Sequence, residues 1–528
     1  MPRMMDDGLD VLRQRGEAFL VELSREYYEA HAGLKREAQL QPIFAKHASA
    51  FDDDALTRVR ELFRATAVGA SAAGASAADP SSSGPLSVVS EAHRSARMLL
   101  DWLVESRCGR ELAALEEREI AWEGAATITL PNGTVEPYQR AAITIANTRD
   151  KRARQALDDA RAALVARELA PMKLERLQRE HAVVDSLGIA DGYIATWEAL
   201  SGFELRPLRD ACAQFLHDTQ AMWDDVLPEF LKRGLGLAPR EATRADAMAL
   251  MRAPEFDGAF RAEAMEREVR RQVTEMGASP DAHGRVIFDT GERPGKRARA
   301  FCSPVRIPAE VYLVLRPHGG QHDYTTLMHE LGHALHFANM ADSLPFEFRW
   351  LGDNSITEAY AMLFDHRLQD RGWLLRYTEL SKADLPRYLR AAAFEELQFL
   401  RRYSAKLIYE IALHAQSTAW SALPDLYVET LSGATGFRYQ RADAFLDVDP
   451  RFYAARYLRA WQLQALLNET LCERFNDDWW RNPQAGPWIE AELFGHGQRE
   501  LATEQAARIG ATPLSFDPLL RAIERMLQ

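Results

Sequence analysis

Residues 327–336 read LMHELGHALH and place His329 and His333 four positions apart. Residues with this spacing share one helix face, so both imidazole rings can bind one Zn²⁺ at about 2.0–2.1 Å. Glu330 lies about 100° around the helix, beside the ion rather than on it. Its carboxylate can there take a proton from a zinc-bound water molecule. The pentapeptide HELGH therefore predicts one zinc ion per chain, with Glu330 as the general base.

The chain around this segment has a mainly helical pattern. A helix is predicted over 323–339, with Asp323 as its N-cap. The apolar run Val311–Leu315 predicts a short strand before it, and Gly319 and Gly320 predict the turn that leaves this strand. Long stretches rich in Ala, Leu, Arg and Glu predict helix elsewhere. The expected fold class is therefore mainly α, with a small β-sheet next to the zinc-binding helix.

A catalytic zinc ion needs a third protein ligand and one open position. Glu358, in the next predicted helix, is the strongest candidate. The alternative is that Glu358 forms a capping box with Ser355 and only satisfies its own helix start. Asp365 could hold a ligand histidine by the second ring nitrogen. The weaker ligand candidates are Glu347, Asp353 and Asp365.

His336 nominally lies on the same helix face as His329 and His333. The helix rise places it roughly 10 Å along the axis from His329, too far for one ion to bind all three rings. We interpret His336 as a packing residue or as support for a ligand.

Composition excludes several classes of function. The 528 residues carry a formal net charge of −13, which disfavours binding to nucleic acid. The four cysteines are far apart and form no Cys-x-x-Cys pair, so no disulfide framework is indicated. No apolar run is long enough to span a membrane, and the acidic N-terminus does not resemble a secretory signal. We expect a cytoplasmic protein whose oligomeric state the sequence leaves open.

Changes in composition divide the chain into four parts. Residues 1–66 predict an N-terminal helical segment, and 67–86, rich in small residues, Ser, Gly and Pro, predict a flexible linker or loop. Residues 87–294 predict a helical subdomain. Residues 295–528 predict the zinc-binding catalytic subdomain.

Four stretches together resemble the thimet oligopeptidase / oligoendopeptidase F family of zinc peptidases. These are Arg299–Cys302, Val311–Leu315, Asp323 and 327–336. The resemblance implies a gluzincin-type helical ellipsoid with a deep central channel and zinc at its floor. The part from 87 to 294 would then form the channel wall.

The resemblance also implies roles for individual residues. His329, His333 and Glu358 would hold the zinc ion, and Glu330 would be the base. Family members hold the peptide backbone on an edge strand before the zinc helix, which here corresponds to Val311–Leu315. The substrate-binding residues implied on that strand are Val311, Tyr312 and Leu313.

A second element lies near the C-terminus. Tyr453, Tyr457 and Trp461 are spaced by four and therefore share one helix face. Such an aromatic stripe is most often part of a hydrophobic core. The alternative is that one of the hydroxyl groups takes part in catalysis.

This second element is more similar to the angiotensin-converting enzyme family. That alignment implies that Tyr457 stabilises the oxyanion, with Arg456 beside it as a substrate-binding residue. Tyr453 is the alternative donor. The catalytic tyrosine of oligopeptidases aligns with Ala460, and the transition-state histidine of the related family aligns near Asp447.

Together these features predict a peptidase that hydrolyses short or unfolded peptides by zinc-hydroxide attack, with Glu330 as base and then acid. One alternative is a carboxypeptidase or dipeptidyl-carboxypeptidase, which would need a cationic group for the substrate carboxylate. Another is a catalytically weak peptide-binding protein that retains the fold.

Overall fold

The structure, a computed structural model, describes residues 2–75, 90–297, 299–511 and 513–528. Over these residues the chain is mainly α-helical, which confirms the predicted fold class. A three-stranded sheet directly precedes the helix that carries His329 and His333. A separate two-stranded hairpin lies closer to the N-terminus.

The helices before the three-stranded sheet are α1 (Pro2–His31), α2 (Leu40–Lys46), α3 (Asp53–Ala75), α4 (Glu91–Ala125), α5 (Tyr138–Asn147), α6 (Lys151–Leu164), α7 (Ala170–Leu187), α8 (Gly192–Ser201), α9 (Leu205–Asp218), α10 (Gln220–Leu235), α11 (Arg244–Met251) and α12 (Ala262–Glu275). The helices after it are α13 (Gln321–Ala338), α14 (Phe346–Trp350), α15 (Asn354–Asp365), α16 (Arg371–Tyr377), α17 (Leu385–His414), α18 (Leu423–Thr435), α19 (Tyr453–Phe475), α20 (Ala485–Glu492), α21 (Ala502–Arg508) and α22 (Asp517–Leu527). The strands are β1 (Thr127–Thr129), β2 (Val135–Pro137), β3 (Val286–Asp289), β4 (Phe301–Arg306) and β5 (Glu310–Val314).

The three-stranded sheet has the strand order β3-β5-β4. β3 runs parallel to β5, and β4 runs antiparallel to it. β5 is therefore the middle strand, with backbone partners on both sides. The prediction that Val311–Leu315 forms an edge strand is wrong, because β3, a short strand from earlier in the chain, covers its second side.

Helix α13 begins before the predicted N-cap. Its N-cap is Gly320, which has a φ of 91° that favours glycine. A Cβ atom at Gly320 would also lie 2.9 Å from Oδ1 of Asp257. Asp323 lies inside the first turn and accepts hydrogen bonds from the backbone N–H groups of His318 and Gly319, at 2.7 and 3.0 Å. Asp323 thus fixes the loop that leads into α13 instead of capping it.

Helix α15 is enclosed by its neighbours. Residues 355–364 are buried, and the helix packs against α13 and α19. At the crossing with α13, a Cβ atom at Gly332 would lie 2.6 Å from Cα of Ala361 and 2.7 Å from the carbonyl oxygen of Tyr360. Glycine at 332 therefore lets α13 and α15 approach closely, which brings side chains of α15 to the two histidines.

The predicted linker is partly helical. Residues 67–75 belong to α3, while 76–86 lie outside the described residues. The division into subdomains stays a prediction.

The N-terminal segment contacts the part of the chain that carries the metal centre. Helix α1 packs against β4 and α14. Tyr28 stacks on Tyr312 with 3.7 Å between ring centroids. Nη2 of Arg13 donates a hydrogen bond to the buried carboxylate of Glu347 at 2.6 Å. In the part of the chain that the structure describes, no helix combines the length and apolarity needed to cross a membrane.

Candidate metal centre and catalytic residues

Three side-chain atoms from α13 and α15 converge on one point. Nε2 of His329 lies 3.4 Å from Oε2 of Glu358, and Nε2 of His333 lies 3.7 Å from the same oxygen. This oxygen is buried and has no hydrogen-bond partner among the described residues. Ligand atoms about 2.05 Å from a tetrahedral zinc ion stand about 3.3 Å from one another. The three residues therefore fit one zinc ion and leave a fourth position open.

The second ring nitrogen of each histidine is held in place. Nδ1 of His329 lies 2.8 Å from Oδ2 of Asp365, the contact predicted for Asp365. Nδ1 of His333 lies 2.8 Å from the hydroxyl oxygen of Thr357. When Nδ1 carries the proton, Nε2 presents its lone pair to the metal position. Sequence reasoning missed Thr357, because a hydroxyl next to a candidate ligand has no distinctive spacing.

The electrostatics of the two rings differ. Burial lowers the pKa of His329, but the carboxylates of Asp365 and Glu358 outweigh this and raise the pKa to about 10. Burial lowers the pKa of His333 to about 4. The pKa of Glu358 falls below its usual value, since contact with the two histidines outweighs its burial. The centre thus combines a carboxylate, a neutral ring and a ring that must release a proton before it binds a metal.

Glu330 is oriented by the sheet. The backbone N–H of Cys302, on β4, donates a hydrogen bond to Oε2 of Glu330 at 2.9 Å. Burial raises the pKa of Glu330 above its usual value, although the charge of neighbouring His329 acts in the opposite direction. A raised pKa brings a carboxylate closer to the range suited to proton transfer near neutral pH. Sequence reasoning missed this role of Cys302, because its backbone makes the contact.

The two candidate tyrosines have different surroundings. The hydroxyl of Tyr453 donates to Oε1 of Glu358 at 2.9 Å and accepts from Nδ2 of Asn354 at 3.2 Å. The ring of Tyr457 packs edge-on against Tyr453, and its hydroxyl has no hydrogen-bond partner among the described residues. Burial raises the pKa of Tyr457, so its hydroxyl stays protonated and can donate. Tyr453 is positioned to hold Glu358, whereas Tyr457 has a free donor.

The other predicted substrate-binding residues do not reach the metal centre. Arg456 is buried, donates to Oδ1 of Asn354 at 3.2 Å and lies 3.7 Å from Asp101. The prediction that Arg456 binds substrate is wrong, because its guanidinium is buried and contacts Asn354 and Asp101. On the middle strand, Val311 and Leu313 are fully buried, and Tyr312 is stacked on Tyr28 with its hydroxyl donating to Glu310. None of these three side chains is free for a substrate.

The alternatives considered for the ligands are also decided by contacts. Asp353 caps α15 by accepting from the backbone N–H of Ser355 at 3.0 Å. The capping-box alternative for Glu358 is therefore wrong. Glu347 is paired with Arg13 and is not a ligand. His336 is buried, with Nε2 3.4 Å from the carbonyl oxygen of Gly497, and belongs to the packing behind α13.

Asp447, near which the transition-state histidine of the related family aligns, has charged neighbours in the structure. The Asp447 carboxylate lies 2.6 Å from Nη2 of Arg402 and 3.3 Å from Nζ of Lys406. The hydroxyl of Tyr427 donates to it at 2.9 Å. Asp447 is therefore held in a charge cluster on α17 and α18.

No protein-family model and no curated protein matches the sequence of this chain. Solved structures do match its fold. The carboxypeptidase of Pyrococcus furiosus, in a form designated apo-Mg, has a TM-score of 0.62 and 12% sequence identity, over 99% of both chains. A candidate oligoendopeptidase F has a TM-score of 0.66 and 14% identity, over 99% of this chain and 95% of the other. The chain has an oligoendopeptidase-like fold. The resemblance predicted from the sequence is thereby confirmed at the level of the fold.

In this oligoendopeptidase-like fold, a cavity of about 580 Å³ adjoins the metal centre. Its wall includes His329 and Asp365, and the aromatic side chains of Tyr403, Tyr457 and Trp461. A second cavity shares His366, Glu396 and several arginines with the first, so the two adjoin. Apolar walls with a few polar groups are typical of ligand sites.

A chain of hydrogen bonds leads from the metal centre into this cavity wall. Asp365 contacts Nδ1 of His329 through Oδ2 and Nδ1 of His366, at 2.6 Å, through Oδ1. Nε2 of His366 lies 3.1 Å from Oε1 of Glu396. Asp365 is therefore fixed from both sides, which fixes the ring of His329 in turn.

Proposed function

We propose that this protein is a zinc-dependent peptidase that hydrolyses short or unfolded peptides. The observation that carries the proposal is the convergence of Nε2 of His329, Nε2 of His333 and Oε2 of Glu358 next to the partly buried carboxylate of Glu330. Oε2 of Glu358 has no hydrogen-bond partner among the described residues. A buried carboxylate oxygen without a hydrogen bond is costly unless a cation completes it. A base beside that position is useful for hydrolysis and has no use in simple binding.

The residues divide the chemistry among them. Zinc held by the three ligands would polarise the scissile carbonyl group and lower the pKa of a water molecule at the site. Glu330 accepts the proton of the attacking water at the carboxylate oxygen that Cys302 does not hold. The hydroxyl of Tyr457 donates a hydrogen bond to the carbonyl oxygen as its negative charge grows. Glu330 then passes the proton to the leaving amine.

The cavity supports a peptide as the substrate. About 580 Å³ accommodates a few residues of an extended chain and excludes a folded domain. The aromatic side chains of Tyr403, Tyr457 and Trp461 offer apolar contacts to peptide side chains. We therefore propose that access, more than sequence, restricts the substrate to short or unfolded peptides.

We also propose a cytoplasmic location and no nucleic-acid partner. The four cysteines, all in the described part of the chain, are free thiols, as expected in a reducing compartment. The net charge of −13 opposes general binding to phosphate backbones.

The test compares zinc content and peptide hydrolysis of the wild type and Glu330→Gln. The variant keeps the shape and the hydrogen bond from Cys302, so it should bind one zinc ion per chain. Its turnover should fall at least about a hundredfold, because the base is lost. Glu37→Gln, at an exposed glutamate, is the matched control and should behave as the wild type. Undiminished turnover in Glu330→Gln, or a wild type without zinc and without hydrolysis, would reject the proposal.

A further inference from the structure

Arg299 differs from the other arginines of the cavity wall. It is exposed and lines the cavity together with His329. Within the described part of the chain, its guanidinium has neither a hydrogen bond nor an ion pair. The other arginines of this wall each have an acidic partner, in the pairs Arg233–Glu229 at 3.2 Å, Arg387–Asp384 at 3.5 Å and Arg390–Glu229 at 2.6 Å. Arg299 therefore presents a positive charge to the cavity that no described side chain neutralises.

Arg299 is close in the sequence to the strand residue that holds Glu330. Arg299 lies two residues before the first residue of β4, and the N–H of Cys302 on that strand holds Oε2 of Glu330. Arg299 therefore lies in the segment that leads into the strand holding Glu330, and it lines the same cavity as His329.

The acidic side chains of the cavity wall do not prevent Arg299 from binding an anion. Asp365 and Glu396 are both hydrogen-bonded to His366. Burial raises the pKa of Glu395 to about 8, so this carboxyl group is largely neutral at pH 7. Glu255 is the remaining acid of the wall, and it is exposed to solvent. None of these groups pairs with Arg299.

In the proposed reaction, Glu330 delivers its proton to the leaving amine. The part of the substrate on the C-terminal side of the scissile bond therefore lies on the same side of the metal centre as Glu330. We propose that Arg299 binds a carboxylate of the substrate on the C-terminal side of the scissile bond. This inference rests on the proposed function and names its substrate class. The carboxylate is either the free C-terminus of a short peptide or an acidic side chain. A guanidinium group matches both, because its planar fork pairs with the two carboxylate oxygens.

The test measures peptide binding without turnover. Zinc-loaded Glu330→Gln is mixed with N-terminally labelled peptides, and dissociation constants are read from fluorescence anisotropy. One neutral peptide is compared as free acid and as C-terminal amide. A second, amidated peptide carries Glu or Gln near its C-terminus. In at least one of the two pairs, the peptide with the additional carboxylate should bind about ten- to hundredfold more tightly than its partner. This is the difference expected for a charge-assisted hydrogen bond.

Further substitutions in the same background identify the responsible group. Arg299→Ala should abolish the preference, and Arg299→Lys should retain part of it. Arg387→Ala, at a cavity arginine that already has an acidic partner, is the matched control and should keep the full preference. Arg299 and Arg387 are both exposed at the cavity wall, so the three variants should unfold at the same temperature as their parent.

The outcomes separate this inference from the proposed function. A preference for the free acid indicates carboxypeptidase-type use, and a preference for Glu over Gln indicates an endopeptidase with an acidic subsite; both support the inference if Arg299→Ala removes them. Equal affinity within both pairs, a preference that survives Arg299→Ala, or no binding at all overturns it. Hydrolysis by the wild type without such a preference leaves the proposed function standing and rejects the role of Arg299.

Discussion

Replacing Gly332 with alanine should damage the metal centre although position 332 touches no ligand. The added Cβ atom would lie 2.6 Å from Cα of Ala361 and 2.7 Å from the carbonyl oxygen of Tyr360. Both are backbone atoms of α15, so no side-chain rotation relieves the overlap. The only response open to the molecule is to move α13 and α15 apart.

The size of the effect follows from the distances. Carbon atoms in contact are usually about 3.5–4.0 Å apart, so α15 must move by roughly 1 Å at this crossing. Metal–ligand distances tolerate only about 0.2 Å, and Glu358 lies one turn of α15 from the contact. Overpacking of this kind costs about 1–3 kcal/mol. We therefore expect zinc affinity to fall at least about tenfold and the free energy of unfolding to fall by about 1–3 kcal/mol.

The assays are competition with a chromophoric chelator for zinc affinity and urea unfolding in EDTA for stability. Gly109→Ala is the matched control: position 109 lies inside α4, and no heavy atom lies within 4 Å of a Cβ built there. That variant should gain up to about 1 kcal/mol from helix propensity and keep its zinc affinity. If Gly332→Ala binds zinc as tightly as the wild type, close approach of the two helices does not position Glu358.

Three further substitutions test neighbouring parts of the structure. Asp365→Asn should weaken zinc binding about ten- to hundredfold, because it loosens the ring of His329, and unchanged affinity in the chelator assay would contradict this. Tyr457→Phe should lower kcat at least about tenfold with KM little changed, since its hydrogen bond forms only in the transition state; an equal change in both constants would indicate ordinary substrate binding. Although burial raises the pKa of Asp447, Arg402 and Lys406 lower it to about 2. A carboxyl group with a lowered pKa stabilises the fold at pH values above its usual pKa of about 3.9, and this stabilisation is lost as the pH falls towards 2. Between pH 5 and pH 2 the free energy of unfolding of the wild type should therefore fall by about 2 kcal/mol more than that of Asp447→Asn. Parallel stability curves in acid urea titrations would refute that assignment.

The features that the sequence predicts best depend on local periodicity. His329 and His333 share a helix face because of their spacing, and this holds wherever the helix lies. The role of Glu358 as a ligand is harder to predict, because it depends on how α15 packs against α13. The contact of Gly332 with the backbone of α15 determines how closely the two helices pack. This contact is visible only in the folded structure.

Other features depend on partners that are distant in the sequence. The middle position of β5 follows from β3, a strand of only four residues whose pairing with β5 is visible only in the folded chain. The buried position of Arg456 follows from Asp101 on α4. Likewise, the sequence contains many arginines, and only the pairs in the folded chain distinguish Arg299 from the others.

The pairing of Arg13 with Glu347 sets an order of events during synthesis. The two residues are 334 positions apart. At about 5–20 residues per second, a ribosome needs roughly 15–70 s to reach the second after making the first. Throughout that interval α1 lacks the carboxylate that the guanidinium of Arg13 finally holds. Helix α1 therefore completes its native contacts only after α14 has been made.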